Sequence, residues 1–220
     1  MTLKKKWLIA IAGVLSVLLL QTGIGQALAY QTDIADPMLN HFTIALDSTS
    51  TVLEYYPENT PKSNGNTIIY TKTVQFGNTG YIDCYIRARM DFSDNDIENK
   101  SSMTANGGNW YAVADYADHL PDGWVYNSAD GYYYYTKIVY AENWDVVKSK
   151  VDYDKGLGEY FYRNANIMSE PCLTNPLVQS VKTVFDEPVD MRTYNLNVYS
   201  ESVPYYFGND YQTAWDNYLN

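Results

Sequence analysis

Between Tyr81 and Asp91 the chain alternates without a break. Ile82, Cys84, Ile86, Ala88 and Met90 fall on one side, and Asp83, Tyr85, Arg87, Arg89 and Asp91 on the other. Successive strand side chains point to opposite faces, so this run predicts a strand with one dry and one wet face, as in an antiparallel sheet solvated on one side. Upstream, Ile68, Tyr70, Val74 and Phe76 share one phase of the run Thr67 to Phe76, and Gly77-Asn-Thr-Gly80 is a turn signal. The two runs read either as a hairpin or as consecutive strands in opposite sheets.

The same alternation recurs along the chain. Phe42, Ile44 and Leu46 alternate with Thr43, Ala45 and Asp47, and Val52 to Tyr56 forms a short strand. Gly123 to Asn127 and Tyr132 to Tyr140 flank an Asp-Gly turn, Ser128-Ala-Asp-Gly131. Val178 to Phe185 reads as another strand, and Tyr194, Leu196 and Val198 mark the last one. Tyr211 to Tyr218 reads as one or two closing helical turns with Trp215 packed down. The polar, Gly/Asn-rich stretch Phe92 to Asn109 reads as a loop. Ala141 to Pro176 reads as a long loop or an insertion between two strands. There is no sustained 3.6-residue apolar period, no internal repeat and no linker rich enough in Pro, Gly or Ser to divide the chain. The expectation is an all-β protein, an antiparallel β-sandwich with long loops in one domain spanning 30–220.

The N-terminus adds a location. Lys4, Lys5 and Lys6 precede fourteen residues without charge, Trp7 to Leu20, and the segment ends Ala27-Leu-Ala29. A basic start, an apolar middle and an Ala-x-Ala ending describe a helical export signal over 1–29, cut before Tyr30. Fourteen helical residues rise about 21 Å, short of the roughly 30 Å hydrocarbon core. The alternative to cleavage is an N-terminal anchor. With cleavage, the mature chain is secreted and carries no membrane span.

Removing the three signal lysines leaves 12 basic against 26 acidic residues, a net charge of −14. That charge argues against nucleic-acid or anionic-membrane partners, which need a basic face. Tyrosine is the anomaly of composition, at 23 of 220 residues, and suits pleated sheet. Cys84 and Cys172 are the two cysteines. In an oxidising compartment they can pair, or both can stay as buried free thiols; the sequence leaves both readings open.

The motifs of catalysis are missing. His41 and His119 are the two histidines, and neither belongs to a His-Glu-x-x-His pattern. There is no Gly-x-Ser-x-Gly elbow and no phosphate-cradling glycine loop. Asp91-Phe-Ser-Asp-Asn-Asp-Ile-Glu98 fails as a calcium loop, with Asp96 where glycine belongs and Ser102 where the last glutamate belongs. The sequence therefore assigns no catalytic residue, metal ligand or cofactor. In Tyr132 to Tyr135, alternation sends two rings to the core and two to solvent, where they hold the sheet by cross-strand pairing or meet a ligand.

Several segments in order resemble a family: exported proteins of Gram-positive bacteria with the SipW-type signal peptide, the group of TasA and the camelysin-like proteins. The resemblance rests on the lysine-led signal ending Ala27-Leu-Ala-Tyr30, on Asn40 to Leu46, and on Thr71 to Gly80 followed by Tyr85-Ile-Arg-Ala-Arg89. It continues in Trp124-Val-Tyr126, Asp130 to Tyr135, Tyr194 to Val203 and Thr213-Ala-Trp215. It covers the signal and about half of the mature chain. It implies a jelly-roll-like sandwich, cleavage by a dedicated signal peptidase, and a place at the cell surface or in the matrix. It carries over no catalytic residue. Fibre-forming members further imply self-association, in which the freed segment Tyr30 to Asn40 pairs with the sheet edge of another copy; the same segment reads equally as a flexible leader. The leading expectation is a secreted, non-catalytic structural or surface-assembly protein. A secreted binding module or adhesin is the alternative, and a camelysin-like peptidase the third reading.

Overall fold

The computed structural model describes residues 48–55, 62–105, 107–165, 167–187 and 194–220. All of these lie within one unit, Leu39–Asn220. The expected signal, the cleavage position at Ala27, Ala29 and Tyr30, the strand around Phe42 and the segment Tyr30 to Asn40 lie outside the described residues.

Two sheets dominate. The larger runs in the spatial order β6 (Tyr111–Ala112), β5 (Ser101–Thr104), β11 (Val178–Val184), β3 (Thr67–Asn78), β1 (Ser50–Tyr55), β10 (Glu159–Tyr162), β9 (Val151–Asp154), with β2 (Lys62–Asn64) also on β3. The smaller is ordered β12 (Leu196–Pro204), β4 (Cys84–Phe92), β8 (Tyr132–Tyr135), β7 (Trp124–Asn127). The main hydrophobic cluster takes Val52, Val74, Phe76, Val178 and Val181 from the first sheet and Ile86, Ala88, Tyr133, Tyr135 and Val198 from the second. The protein is thus predominantly β, with its core between the inner faces of two sheets.

The two clearest runs of the sequence are consecutive strands in opposite sheets, not a hairpin. Asn78 fixes the crossing from β3 to β4. Fully buried, it donates from Nδ2 to Ile82 O at 2.8 Å and to Val139 O at 3.0 Å, and its Oδ1 accepts from Gly80 N at 2.9 Å.

Three expectations are corrected. First, Phe92 to Asn109 is not only loop: it holds helix α1 (Asn95–Asn99) and strand β5. Asp94 caps α1 by accepting from Asp96 N at 2.9 Å, and Ile97 is fully buried. β5 is polar yet inside, because Ser101 Oγ bonds Ile97 O at 2.7 Å and lies 2.8 Å from Thr183 Oγ1 on β11. Second, residues 141–176 are not only loop. Helix α2 (Trp144–Lys148), β9 and β10 extend the large sheet, and Val147, Val151, Tyr162, Cys172 and Leu173 close with Leu53 into a second cluster. β10 lies parallel to β1, Leu53 opposite Tyr160, so the sheets are not wholly antiparallel. Third, part of the wet face of β4 and β8 is covered, around Tyr85, Arg87 and Tyr134, while Arg89 stays exposed. Helix α3 (Tyr211–Leu219) lays Ala214 and Trp215 on Tyr85, Tyr134 and Val203, forming a third cluster. Tyr132 and Tyr134 do point away from the core, as alternation requires, but into this cover.

Candidate functional site

A cleft of about 310 Å³ opens at one end of the sheets. Met90 near the end of β4, Met103 on β5 and Tyr133 on β8 are among its lining residues, with Met103 and Tyr133 buried. One wall is a 3-10 helix, Val113–His119, anchored by fully buried Tyr116, whose hydroxyl donates to Leu177 O at 2.5 Å. The other wall is the β7–β8 hairpin, where the rings of Tyr126 and Tyr133 lie 4.8 Å apart at 45°. Burial, with smaller contributions from Tyr126 and the Glu98 charge, holds the Tyr133 phenol far above its ordinary range.

Arg89, Asp91, Glu98 and Asp130 also line the cleft, but the Asp91 and Asp130 carboxylates are bonded to residues of the outer face of the sheet. Asp91 accepts from Tyr199 OH and lies 3.3 Å from Arg89 Nε. Asp130 accepts from Tyr132 N at 3.0 Å and from Tyr134 OH. The Glu98 carboxylate lines the cleft and has no hydrogen-bond or ion-pair partner among the described residues.

On the outer face of the same sheet, Arg87 is enclosed. Its guanidinium lies 4.1 Å from the Tyr132 ring centroid and 4.3 Å from that of Trp215, and Nη1 donates to Tyr134 OH at 3.1 Å. Burial opposes its charge, but the bonds to Tyr134 and Glu201 outweigh that and raise its pKa. Burial, followed by the bond to Asp130, pushes Tyr134 up to about 12. The guanidinium, both phenols and Glu201 all have protein partners, so their arrangement holds structure. Trp215 Nε1 is buried beside them without a hydrogen-bond partner among the described residues.

The third feature is an edge. β12 pairs with β4 from Leu196↔Phe92 to Pro204↔Cys84. Ser93 N donates to Asn195 O and Tyr205 N to Asp83 O, both at 2.9 Å, which sets the phase of the ladder. Asn197, Tyr199, Glu201 and Val203 therefore direct their backbone groups to β4, while Leu196, Val198, Ser200 and Ser202 direct theirs outward. Among the described residues no strand pairs with that outer side. At nine residues β12 is the longest of the terminal strands, against two in β6 and four each in β7 and β9.

The residues singled out from sequence scatter. Cys84 is fully buried in the first cluster and Cys172 in the second, and both are free thiols. Burial raises both, Cys172 to about 11. The structure does not make the pairing that the sequence left open. His119 stacks on Tyr111 with ring centroids 3.7 Å apart, and His41 lies outside the described residues. The acidic run over 91–98 is divided among local tasks: Asp94 caps α1, Asp96 pairs with Lys100 at 3.1 Å, and Asp91 pairs with Arg89. Among the described residues no group of three or more His, Cys, Asp or Glu could hold a metal ion. No helix among them is long and apolar enough to cross a membrane. The sequence reading missed the cleft, because its walls come from α1, β4, β5, the 3-10 helix and the β7–β8 hairpin, and no local pattern marks them as neighbours.

Comparison with protein-family models, with curated proteins and with solved structures gives no match.

Proposed function

We propose that the protein is a secreted, non-catalytic structural subunit that assembles at the cell surface or in an extracellular matrix. The observation that carries this reading is the nine-residue edge of β12, which no strand among the described residues pairs. An open edge offers a row of N–H and C=O groups to any extended chain. Natural sheets blunt such edges with charge, proline or short length. Here the one proline, Pro204, blunts only the end of the edge, and the other residues whose backbone points outward carry Leu, Val and Ser side chains. An added strand would complete the ladder in the manner of strand addition.

The donor in this reading is Tyr30 to Asn40 of another copy, released when a dedicated signal peptidase cuts after Ala29. Such a contact joins two different surfaces, so repetition gives an open filament where the rotation does not close on itself. The jelly-roll arrangement implied by the family resemblance belongs to the same proposal. Partners are then other copies and surface or matrix components, and no cofactor is called for.

The test is imaging and sedimentation of the chain starting at Tyr30 beside the chain starting at His41. The first forms filaments; the second stays monomeric with an unchanged far-ultraviolet spectrum. A synthetic Tyr30 to Asn40 peptide in excess shortens the filaments by capping edges. Filaments formed equally well by the chain starting at His41 would refute the donor assignment.

A further inference from the structure

Among the described residues, two cross-strand tyrosine pairs bring their ring centroids to 4.8 Å: Tyr153 with Tyr160, and Tyr126 with Tyr133. Tyr70–Tyr194, Tyr134–Tyr211 and Tyr205–Tyr206 lie further apart, at 5.6, 6.0 and 6.1 Å. In both close pairs the residues stand directly opposite on antiparallel strands, so their side chains share a face. The rings are tilted, at 44° and 45°, and not stacked face to face. The pairs differ in access. Tyr133 is 8% exposed, and burial holds its phenol far above its ordinary range. Tyr153 is 52% exposed and Tyr160 half-buried, so both rings of that pair meet solvent. The frame around this pair is fixed. Asp154 Oδ1 accepts from Gly156 N at 2.7 Å and Leu157 N at 3.2 Å, and Asp154 O accepts from Gly158 N at 2.8 Å, which closes the β9–β10 turn. Trp144 backs Tyr160 edge-on, with ring centroids 5.1 Å apart. Neither the Tyr153 nor the Tyr160 hydroxyl makes a hydrogen bond among the described residues.

We infer that Tyr153 and Tyr160 are a site of oxidative modification, joined ring to ring as dityrosine by a haem peroxidase acting with hydrogen peroxide. Each phenol gives up one electron and one proton, and the peroxide takes up both pairs and leaves as two waters. The two phenoxyl radicals then combine in one carbon–carbon bond between ring positions ortho to the hydroxyls. The hydrogens on those two carbons move as protons to the oxygens and restore both phenols. The pair has then lost two hydrogen atoms in all. Rings already in contact couple within one chain, with the advantage of proximity over coupling between copies. The bond ties β9, a terminal strand of the large sheet, covalently to β10. It involves no residue of the β12 edge.

The experiment treats the dilute chain starting at Tyr30 with a haem peroxidase and hydrogen peroxide, and takes the band of monomer mass from a denaturing gel. Trypsin cuts after Lys150, Lys155 and Arg163, so Tyr153 and Tyr160 fall in separate peptides, 151–155 and 156–163. The expected product is these two peptides held together, at their summed mass less two hydrogen atoms, with the blue fluorescence of a biphenol. Tyr153→Phe and Tyr160→Phe each abolish it while leaving the far-ultraviolet spectrum unchanged. Tyr160→Phe also separates coupling at Tyr160 from coupling at Tyr162, which shares its peptide and whose hydroxyl is buried on Gln75. Tyr81→Phe alters the most exposed tyrosine among the described residues and leaves the yield unchanged. The inference is overturned if the monomer band yields no joined peptides, if they persist in Tyr160→Phe, or if Tyr81→Phe lowers them as far as Tyr153→Phe does. The product is read from single chains, so the outcome does not depend on whether filaments form.

Discussion

Arg87 and Glu201 stand directly opposite each other on β4 and β12, and the guanidinium meets the carboxylate through Nε at 2.7 Å and Nη2 at 2.5 Å. Tyr132 OH also donates to Glu201, at 3.0 Å. Arg87 is almost wholly buried, so losing its partner leaves a charge with little access to water. Glu201→Ala is expected to destabilise the fold by about 2–3 kcal/mol, read from urea unfolding. The double variant Arg87→Met with Glu201→Ala recovers much of that loss, since no buried charge remains. Equal stabilities for the single and double variants would contradict this account.

Gly208 decides whether α3 can lie on the sheet. A Cβ at this position would sit 2.3 Å from Ala214 N and 2.8 Å from Ala214 Cα, both backbone atoms that cannot move aside alone. Gly208→Ala therefore pushes the start of α3 away and exposes Trp215. The expected outcome is a red-shifted tryptophan emission and a loss of about 2–4 kcal/mol, the range of a large core truncation. Gly208→Ser should behave like Gly208→Ala, because the obstacle is Cβ itself.

Glu159 gives the large sheet a pH dependence. Burial first, and then the charge of Glu54, pushes its carboxyl up to about 7, with Lys72 pulling the other way. Lys72 is already held by Glu54 at 2.7 Å. A carboxyl raised in the folded state contributes stability that is complete below its ordinary value and is lost as pH rises to about 7. Glu159→Gln should therefore match the parent at acidic pH and exceed it at about pH 8, by on the order of 1–3 kcal/mol. Urea midpoints from mildly acid to mildly alkaline pH check the sign; a variant weaker than the parent at the alkaline end contradicts it.

The two cysteines should behave as interior thiols. Cys84 is fully buried, and its thiol is raised by burial and then by Asp83. Thiolate is the reactive form, so neither cysteine should be alkylated in the folded protein. Both should be alkylated after unfolding without reductant, each adding one label by mass. Failure to label until reductant is added would show a disulfide instead.

Much of the sheet was legible along the chain, because period-two alternation is a local property. The strand at Cys84–Phe92, the aromatic hairpin around Asp130-Gly131, the last strand and the closing helix with Trp215 all followed from side-chain direction and turn chemistry. The expected export signal is likewise read from order along the chain, and the residues it rests on lie outside those the structure describes.

What alternation cannot state is which strand lies beside which, since pairing joins residues far apart in sequence. Only the tertiary structure sent the strands on either side of the Asn78 crossing to opposite sheets, set Leu53 parallel to Tyr160, and buried the polar strand β5 through the bond between Ser101 and Thr183. It also laid Trp215 over Arg87, making dry part of a face whose residues read as wet. The cleft lined by Glu98 and the edge of β12, which no described strand pairs, exist only once those neighbours are fixed. Side-chain direction is encoded residue by residue, whereas adjacency is settled by the packing of the whole.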